Sequence, residues 1–599
     1  MIPRLRPGDH FVGALLAGGY VLLLLVASHD VAMSRDEGFY VDAANSYAGW
    51  LRLVGAPFRC DAGACRIACT EGEACRTGAP CVDGRCAAPV AMSCTTASEC
   101  GVHRRELVDR FWAPNHEHPS LPKTMFALFH LADERYELFS APSVGYRFFG
   151  MLTGGLLLWL IYVFGAQTYG RSAGLFASLA FALMPRIFYH SQLDAFDVPI
   201  ALMTTLVTYA YCRAIGDWRW LPILGLCYGL ALATKHNAWI LPLIFLIHMA
   251  FVAATERRHR RFGGAPRVAL TPYWLLAMLL IGPIVFVALW PWLWHDTLQR
   301  FGEYAGFHFG HTHYNMAYFG VNYFRAPVPM SYPWVMTVLT VSAVTLVLAL
   351  IGIGARARAL LPFGLEERWW PNGSVRPDPR RTDVLFLGCL LPPLVVISMP
   401  WTPIFGGTKH WFPAYPFLAL FAGAGFVAVL RHALPARRGL PTAVRGWAAT
   451  VGLGALFLAP AAAETAHSHP FGLSHYTYAA GGVPGAADLG MNRQFWGFTT
   501  GSLADWLNRK LPDGGTVWIC DMTPRAWAMM QADGRLSRRI RSTASLVSAA
   551  LALVHHEDHF AEVDFQIWEA FGTVRPVEVL TYDGVPIISV YENPRRRQR

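Results

Sequence analysis

Ser34-Arg35-Asp36-Glu37-Gly38-Phe39-Tyr40 follows directly on an apolar run at 11–29. Adjacent carboxylates where a chain leaves an apolar segment are costly to hold near hydrocarbon and well placed to act on a lipid-borne molecule, so the stretch points to chemistry at a membrane surface. The run before it is long enough to span a bilayer as a helix. No small-residue cleavage site separates the two, so the run reads as a retained first helix and not as a signal peptide.

Further apolar runs lie near 148–167, 173–189, 198–214, 219–234, 238–254, 271–294, 334–354, 383–399, 412–430 and 443–463. Together they predict a polytopic α-helical membrane protein with about eleven transmembrane helices. Of 599 residues, 54% are hydrophobic and only 15% charged, which excludes an ordinary soluble protein of this size. The basic stretches beside the runs are Arg4 with Arg6, Glu256 to Arg267, Arg356 to Arg381, and Arg431 to Arg445. With the N-terminus cytoplasmic, all four fall on the cytoplasmic side, and the C-terminal region is extracytoplasmic. The expected location is a plasma or inner membrane. The net charge of +10 follows from that bias and the basic tail Arg595-Arg596-Arg597-Gln598-Arg599, and no nucleic-acid partner is expected, because no binding module accompanies the charge.

Three regions are expected: a membrane body over 1–463, a cysteine-rich insert over 56–105 within its first outer loop, and a small α/β domain over 464–599. The insert holds Cys60, Cys65, Cys69, Cys75, Cys81, Cys86, Cys94 and Cys100, eight of the twelve cysteines. An even number of cysteines with few core-forming residues reads as a disulfide-stapled module on an oxidising side, of undetermined pairing. Zinc is the rival, weakened because the spacing lacks a clear pair of Cys-x-x-Cys knuckles. Cys212, Cys227 and Cys389 sit in apolar runs as small buried residues. In the last region, Gly514 to Cys520 reads as a turn and strand and Pro524 to Ala532 as a helix. Val577 to Tyr582 and Val585 to Tyr591 read as a hairpin closed on Asp583-Gly584.

The candidate chemistry gathers in the outer loops. In the first group, Arg35, Asp36 and Glu37, a carboxylate can act as general base toward a hydroxyl or amine, or ligate a divalent cation; the plain alternative is a solvated helix end. Tyr40, Val41, Ala44, Tyr47, Ala48 and Leu51 recur at helical spacing and predict a surface helix lying along the membrane. The second group is Asn115-His116-Glu117-His118-Pro119-Ser120-Leu121-Pro122-Lys123. Here a shared metal is disfavoured because the side chains diverge before proline, and Lys123 suits a lipid phosphate or simple snorkelling. Asp194 and Asp197 lie in a very short loop, where Asp197 also suits a helix cap. Lys235 with His236 and Asn237, and Lys409 with His410, sit beside apolar runs, where a lysine is expensive unless paired or used on an anion. His308, His311 and His313 suit either zinc or an aromatic surface facing a sugar or headgroup.

These groups, in this order, resemble the membrane glycosyltransferases of the GT-C class, in the branch of the protein O-mannosyltransferases and lipid A aminoarabinose transferases. Asp36-Glu37 resembles the family's catalytic carboxylate motif, and His118-Pro119-Ser120-Leu121-Pro122-Lys123 its His-Pro-Pro-Leu-x-Lys stretch, with Ser120 in place of the second proline. Gln192-Leu193-Asp194 with Pro199, Gly229 to Lys235, Pro413 to Leu420, Gly481 to Ala486 and Phe495-Trp496-Gly497 also resemble family segments. The insert is not part of the family plan. The resemblance implies inverting transfer of a sugar from a polyprenyl-phosphate carrier to a protein, lipid or glycan acceptor outside the membrane. On this reading Asp36 is the catalytic base and Glu37 orients the site. Lys123, Lys235, Lys409 and His410 bind the donor phosphate, while Asp194, Asp197 and His118 form an acceptor or cation site. A divalent cation is an open alternative as cofactor. Asp36, Lys123 and Asp194 are expected to converge on one outward-facing cavity. The rivals are a transporter or lipid flippase, which would show internal symmetry and ionisable groups near the bilayer midplane, and a surface interaction protein built on the cysteine module.

Overall fold

The computed structural model describes residues 5–69, 75, 81–82, 84–86, 92–261, 268, 270–360, 380–404, 406–433 and 442–596. The predicted apolar runs are helical over most of their described residues, but not all reach spanning length. Among the described residues, five helices are long and apolar enough to cross a membrane: Pro7–Ala27, Pro142–Thr168, His236–Arg257, Gly407–His432 and Ala448–Ser468. A sixth is added if Tyr332–Thr340 and Ala343–Ala355, bent by 117°, form one span. The expectation of eleven is therefore met only by five or six on length and composition. The run at 173–189 divides at Pro185 into Arg171–Ala182 and Pro185–His190. Tyr273–Ala288 and Thr382–Ile397 have 16 residues each, or roughly 24 Å at 1.5 Å per residue, short of a hydrocarbon core of about 30 Å.

The first span shows how the body is packed. Phe11, Leu15, Leu22 and Val26 face outward, as expected of a lipid-exposed side, while Tyr20 and Leu24 are buried. Gly13 admits Trp159 of the neighbouring span so closely that a Cβ there would lie 2.2 Å from the indole. Small residues thus allow close helix approach in a chain integral to the membrane. The segments 262–267, 361–379, 434–441 and 597–599, which hold much of the basic sequence used for orientation, lie outside the described residues.

The helix Arg35–Leu53 begins with a capping box, in which the Ser34 backbone N–H donates to Glu37 Oε2 at 2.7 Å. The apolar stripe expected to face the membrane meets protein instead. Val41, Ala44, Tyr47 and Ala48 are fully buried against protein, including the helices Leu121–Tyr136, Arg105–Trp112 and Pro524–Ala532. The apolar stripe is the same; tertiary packing supplies its partner.

In the cysteine module the pairs are Cys60–Cys94, Cys65–Cys100, Cys69–Cys81 and Cys75–Cys86. Its first hairpin sets Phe58–Asp61 against Ala64–Ile67, and its core is made largely of the cysteines themselves with Ile67 and Met92. Trp50 Nε1 donates to the Val102 carbonyl at 2.9 Å and ties the module to the body. The C-terminal region forms a five-stranded mixed sheet in the spatial order Glu578–Tyr582, Val585–Glu592, Leu551–His555, Gly515–Ile519, Ile540–Ser542. The predicted strand, helix and hairpin are all present, and Asp583 and Gly584 both take positive φ at the hairpin turn, the conformation that Asp-Gly favours.

Candidate functional site

Asp36 occupies the first helical turn after Ser34, and the chain around it is held from two distant regions. The Arg35 backbone N–H donates to the Trp496 carbonyl at 2.8 Å. The Arg35 guanidinium bridges Asp36 Oδ1, at 3.1 to 3.2 Å, and Asp521 Oδ1 of the C-terminal sheet region, at 2.7 Å. Position 38 must be glycine for that approach, since a Cβ there would lie 2.0 Å from Thr523 Oγ1. On its other side Asp36 Oδ2 accepts from Lys409 Nζ at 3.4 Å, and that ammonium stands 4.1 Å from the Trp496 ring centre. The carboxylate is thus gripped by two cations yet retains 21% side-chain exposure, enough to meet a substrate.

A second acid–base pair involves a residue near Lys409. Asp197, in the first turn of Asp197–Ala214, accepts from Lys235 Nζ at 2.8 Å and lies 3.4 Å from His190 Nδ1. The His190 ring packs edge-on against Phe412 and Trp496, at 4.7 and 5.3 Å between centres. Lys235 keeps 13% exposure. The neighbouring wall is aromatic: Tyr40 on Phe196 at 4.6 Å, His118 on Phe196 at 5.7 Å, and His308 between His118 and His236 at 5.8 and 4.0 Å. Burial, then the Lys123 charge, hold the His118 imidazole well below its ordinary pKa, and burial brings His308 down to about 4. Neutral rings of this kind suit a sugar face better than an anion. Asn237 Nδ2 reaches the His410 carbonyl at 3.4 Å, joining the two lysine-bearing loops.

Beneath this rim lies a sealed layer. Arg147 donates Nε and Nη2 to the two oxygens of Glu37 at 2.7 and 2.8 Å and Nη1 and Nη2 to the Val31 and Ala32 carbonyls. Burial alone would raise the Glu37 pKa, but the Arg147 charge more than offsets it, so Glu37 stays ionised. Asp194 is fully buried behind it; burial and the Glu37 charge push its carboxyl well above its ordinary value. Lys123 is fully buried too, with its ammonium donating to the Asn115 and His118 carbonyls and to Asn115 Oδ1. Convergence of Asp36, Lys123 and Asp194 on one outward-facing cavity is therefore not observed, because Lys123 and Asp194 are both enclosed. Asp36, Asp197, Lys235, Lys409, His118 and the His410 backbone do gather.

The histidines at 308, 311 and 313 do not form a joint ligand set. His308 turns to His236, and His311 Nδ1 is paired with the Thr312 carbonyl. Among the described residues, side chains at metal-ligand spacing occur in the triples Cys65, Cys94, Cys100 and Cys69, Cys75, Cys86, all of them disulfide partners. Sequence reasoning quoted His190 and Trp496 only within longer stretches, without giving either a role, and passed over Arg147 and Asp521. The first and third sit in or beside apolar runs, and the argument applied to Lys235 would have singled them out. Trp496 and Asp521 carry no comparable local signal.

Residues 122–292 match the family model described as Dolichyl-phosphate-mannose-protein mannosyltransferase. That segment includes Lys123, Asp194, Asp197 and Lys235, and excludes Asp36 and Lys409. A sequence comparison with the curated proteins gives no significant match. Among solved structures, the chain is similar to ArnT from Cupriavidus metallidurans bound to undecaprenyl phosphate, at 14% identity over 96% of this chain and 97% of that one, with a TM-score of 0.42. It is also similar to the arabinofuranosyltransferase AftD from Mycobacteria, at 12% identity over 99% and 40% of the two chains, TM-score 0.38. A further similarity is to the archaeal oligosaccharyltransferase AglB from Archaeoglobus fulgidus in complex with an inhibitory peptide and a dolichol-phosphate, at 11% identity over 94% and 71%, TM-score 0.45.

Proposed function

We propose that this protein is an inverting glycosyltransferase of the GT-C class, moving a sugar from a polyprenyl-phosphate carrier to a protein, lipid or glycan acceptor on the outer side of the membrane. The observation that carries the reading is the meeting of Asp36 with Lys409, 373 positions apart in sequence, in a partly exposed cluster that also holds the Lys235–Asp197 pair. The family match over 122–292 supports it from an independent direction.

In the proposed reaction, Asp36 Oδ2 accepts the proton of an acceptor hydroxyl or amine as its oxygen or nitrogen attacks the anomeric carbon. The bond from that carbon to the phosphate oxygen breaks on the opposite face, and the electron pair leaves with the polyprenyl phosphate. Lys409 and Lys235 stand where negative charge grows on the leaving phosphate, which is where preorganised cations lower a barrier most. Lys409 thus alternates between partners: it neutralises Asp36 at rest and turns to the phosphate when the donor is bound. Arg35 holds Asp36 in either state, and Asp197 positions Lys235.

The enclosed residues take supporting roles here. Glu37 and Arg147 clamp the first turn of the Asp36 helix, and Lys123 fixes the loop that presents His118. We retain 1–463 as the membrane body, 56–105 as an insert and 464–599 as an outer domain whose Asp521 braces Arg35. A cytoplasmic N-terminus is part of the same proposal. A transporter would pair ionisable groups along the middle of its spans; Lys235 and Lys409 instead lie in the short turns His236–Ile240 and Gly407–Ala414 or beside them, at helix starts.

Membranes carrying the wild-type chain, given a radiolabelled polyprenyl-phosphate sugar and cell-envelope acceptors, are expected to yield labelled product. Asp36→Asn at equal protein level is expected to yield none. Product formation unaffected by Asp36→Asn would sink the mechanism.

A further inference from the structure

Arg186 is a buried charge, among the described residues, that the proposed reaction does not use. It lies on the short helix Pro185–His190 and is 2% exposed. None of its three guanidinium nitrogens has a hydrogen-bond acceptor among the described residues. What it does have is the rings of Tyr476 and Phe495, at 5.2 and 5.4 Å from Cζ, and a polar contact, outside hydrogen-bond geometry, with the Tyr476 hydroxyl, whose own proton goes to the Asn492 carbonyl. Cation–π contacts of this kind do not replace the hydration of a buried guanidinium, whose burial without a counter-charge costs several kcal/mol. A second unmatched group adjoins it. Gly407 approaches so closely that a Cβ there would lie 2.9 Å from Arg186 Nη1, and the hydroxyl of the next residue, Thr408, is buried and also without a partner. The uncompensated charge is felt at His475, where burial first and Arg186 second push the imidazole down to about 4.

The place of this cluster is as telling as its composition. The turn Gly406-Gly407 separates two cations: a Cβ on Gly406 would meet Lys409 Cε at 2.8 Å and Trp496, whereas Gly407 faces Arg186 and Phe495. Lys409 contacts Asp36; Arg186 contacts neither Asp36 nor Asp197 in any hydrogen bond or ion pair among the described residues. A buried guanidinium on the helix Pro185–His190 and a buried hydroxyl one residue beyond Gly407, which that guanidinium approaches, offer a donor set for a planar or tetrahedral oxyanion, the chemistry that arginine recognises with paired N–H groups.

We infer that Arg186 and Thr408 form a second oxyanion subsite, distinct from the lysine pair, which receives a carboxylate or phosphate carried by the transferred sugar or by the acceptor. The inference deepens the proposed glycosyltransferase reading and rests on it for the identity of the substrate, though not for the existence of the site. It makes the substrate of this enzyme doubly anionic, one charge leaving at the lysines and one held at Arg186.

The test is thermal unfolding of the purified full chain in detergent, titrated with inorganic phosphate or acetate against chloride at constant ionic strength. One of the two anions is expected to raise the Tm of wild type, of Asp36→Asn and of Lys409→Gln. Arg186→Gln should abolish the response, and Thr408→Val, which leaves the buried charge in place, should raise the half-saturating concentration about tenfold. Sugar-free polyprenyl phosphate should still stabilise Arg186→Gln but not Lys409→Gln. In transfer assays Arg186→Lys should raise KM for the donor if the sugar carries the anion, and for the acceptor if the acceptor does.

The subsite is overturned if neither anion shifts wild type, if Thr408→Val and Arg186→Gln respond as wild type does, if Lys409→Gln alone removes the response, or if neither KM moves. It is overturned equally if Arg186→Gln loses the polyprenyl-phosphate response as fully as Lys409→Gln, for Arg186 would then belong to the leaving-phosphate site. Should polyprenyl phosphate stabilise no variant while the inorganic anions behave as expected, the donor assignment fails and the subsite stands.

Discussion

Asp36 and Glu37 are consecutive carboxylates in one helical turn, and they belong to two different regions of the molecule. Asp36 faces a partly exposed rim with Arg35 and Lys409. Glu37 is sealed beneath it with Arg147, with both oxygens engaged and 1% exposure. A helix advances about 100° per residue, so neighbours in sequence leave its axis toward different surroundings. The lesson is that a paired acidic motif divides between an open rim and a closed layer: Asp36 stays partly exposed between two cations, whereas Glu37 is sealed against Arg147.

The comparison breaks first at Asp36. Asp36→Asn is expected to lower transfer about 10²- to 10⁴-fold, the usual contribution of a general base, while the thermal midpoint in detergent stays near wild type. If the Tm fell with the activity, Asp36 would belong to the closed layer. The opposite pattern is expected below. Arg147→Leu leaves Glu37 ionised and buried without its partner, a loss of roughly 3–5 kcal/mol, to be read as a large fall in midpoint and in protein accumulation. An Arg147→Leu protein of normal stability would erase the distinction between the two layers.

Smaller effects sharpen the boundary. Asp521→Asn removes one charged acceptor from Arg35, and, at about 1.5 kcal/mol for such a bond, transfer should fall roughly tenfold. No change in transfer would detach the C-terminal region from the site. The smallest effect concerns Lys123. Burial brings its ammonium from 10.5 down to about 7, so between those values the unfolded chain holds a proton that the folded chain has released, and stability rises with pH through that window. The midpoint of wild type should therefore climb from pH 7 to pH 9 relative to Lys123→Met. Parallel profiles would show that the carbonyls of Asn115 and His118 keep the lysine charged.

Local patterns were readable where their cause is local. The hairpin at Asp583-Gly584, the helix Pro524–Ala532 and the apolar runs follow from turn chemistry, propensity and hydrophobicity within a few residues. Reading failed where a segment's partner lies far away. The stripe on Arg35–Leu53 predicts burial but not against what, and protein took the place assigned to lipid. Span length was overread because Pro185 and short helices interrupt runs that composition alone joins. Lys123 was read as a cation beside the membrane, suited to a lipid phosphate; it is buried, and its acceptors are oxygens of Asn115 and His118 in its own loop, which no sequence pattern announces.

Composition and periodicity were enough to point to a membrane-embedded helical chain with a cysteine-stapled insert and an α/β tail, and local charge patterns named Asp36, Asp197, Lys235 and Lys409 among the candidates. These depend on what each residue is and on its near neighbours. Which carboxylate stands open, which cysteines pair, that Arg35 is shared between Asp36 and Asp521, and that Arg186 lies buried without an acceptor beside the Gly406-Gly407 turn were settled only by the folded chain. The physical reason is that charge pairing, burial and exposure belong to distances in space, and folding sets those distances between residues that the sequence keeps hundreds of positions apart.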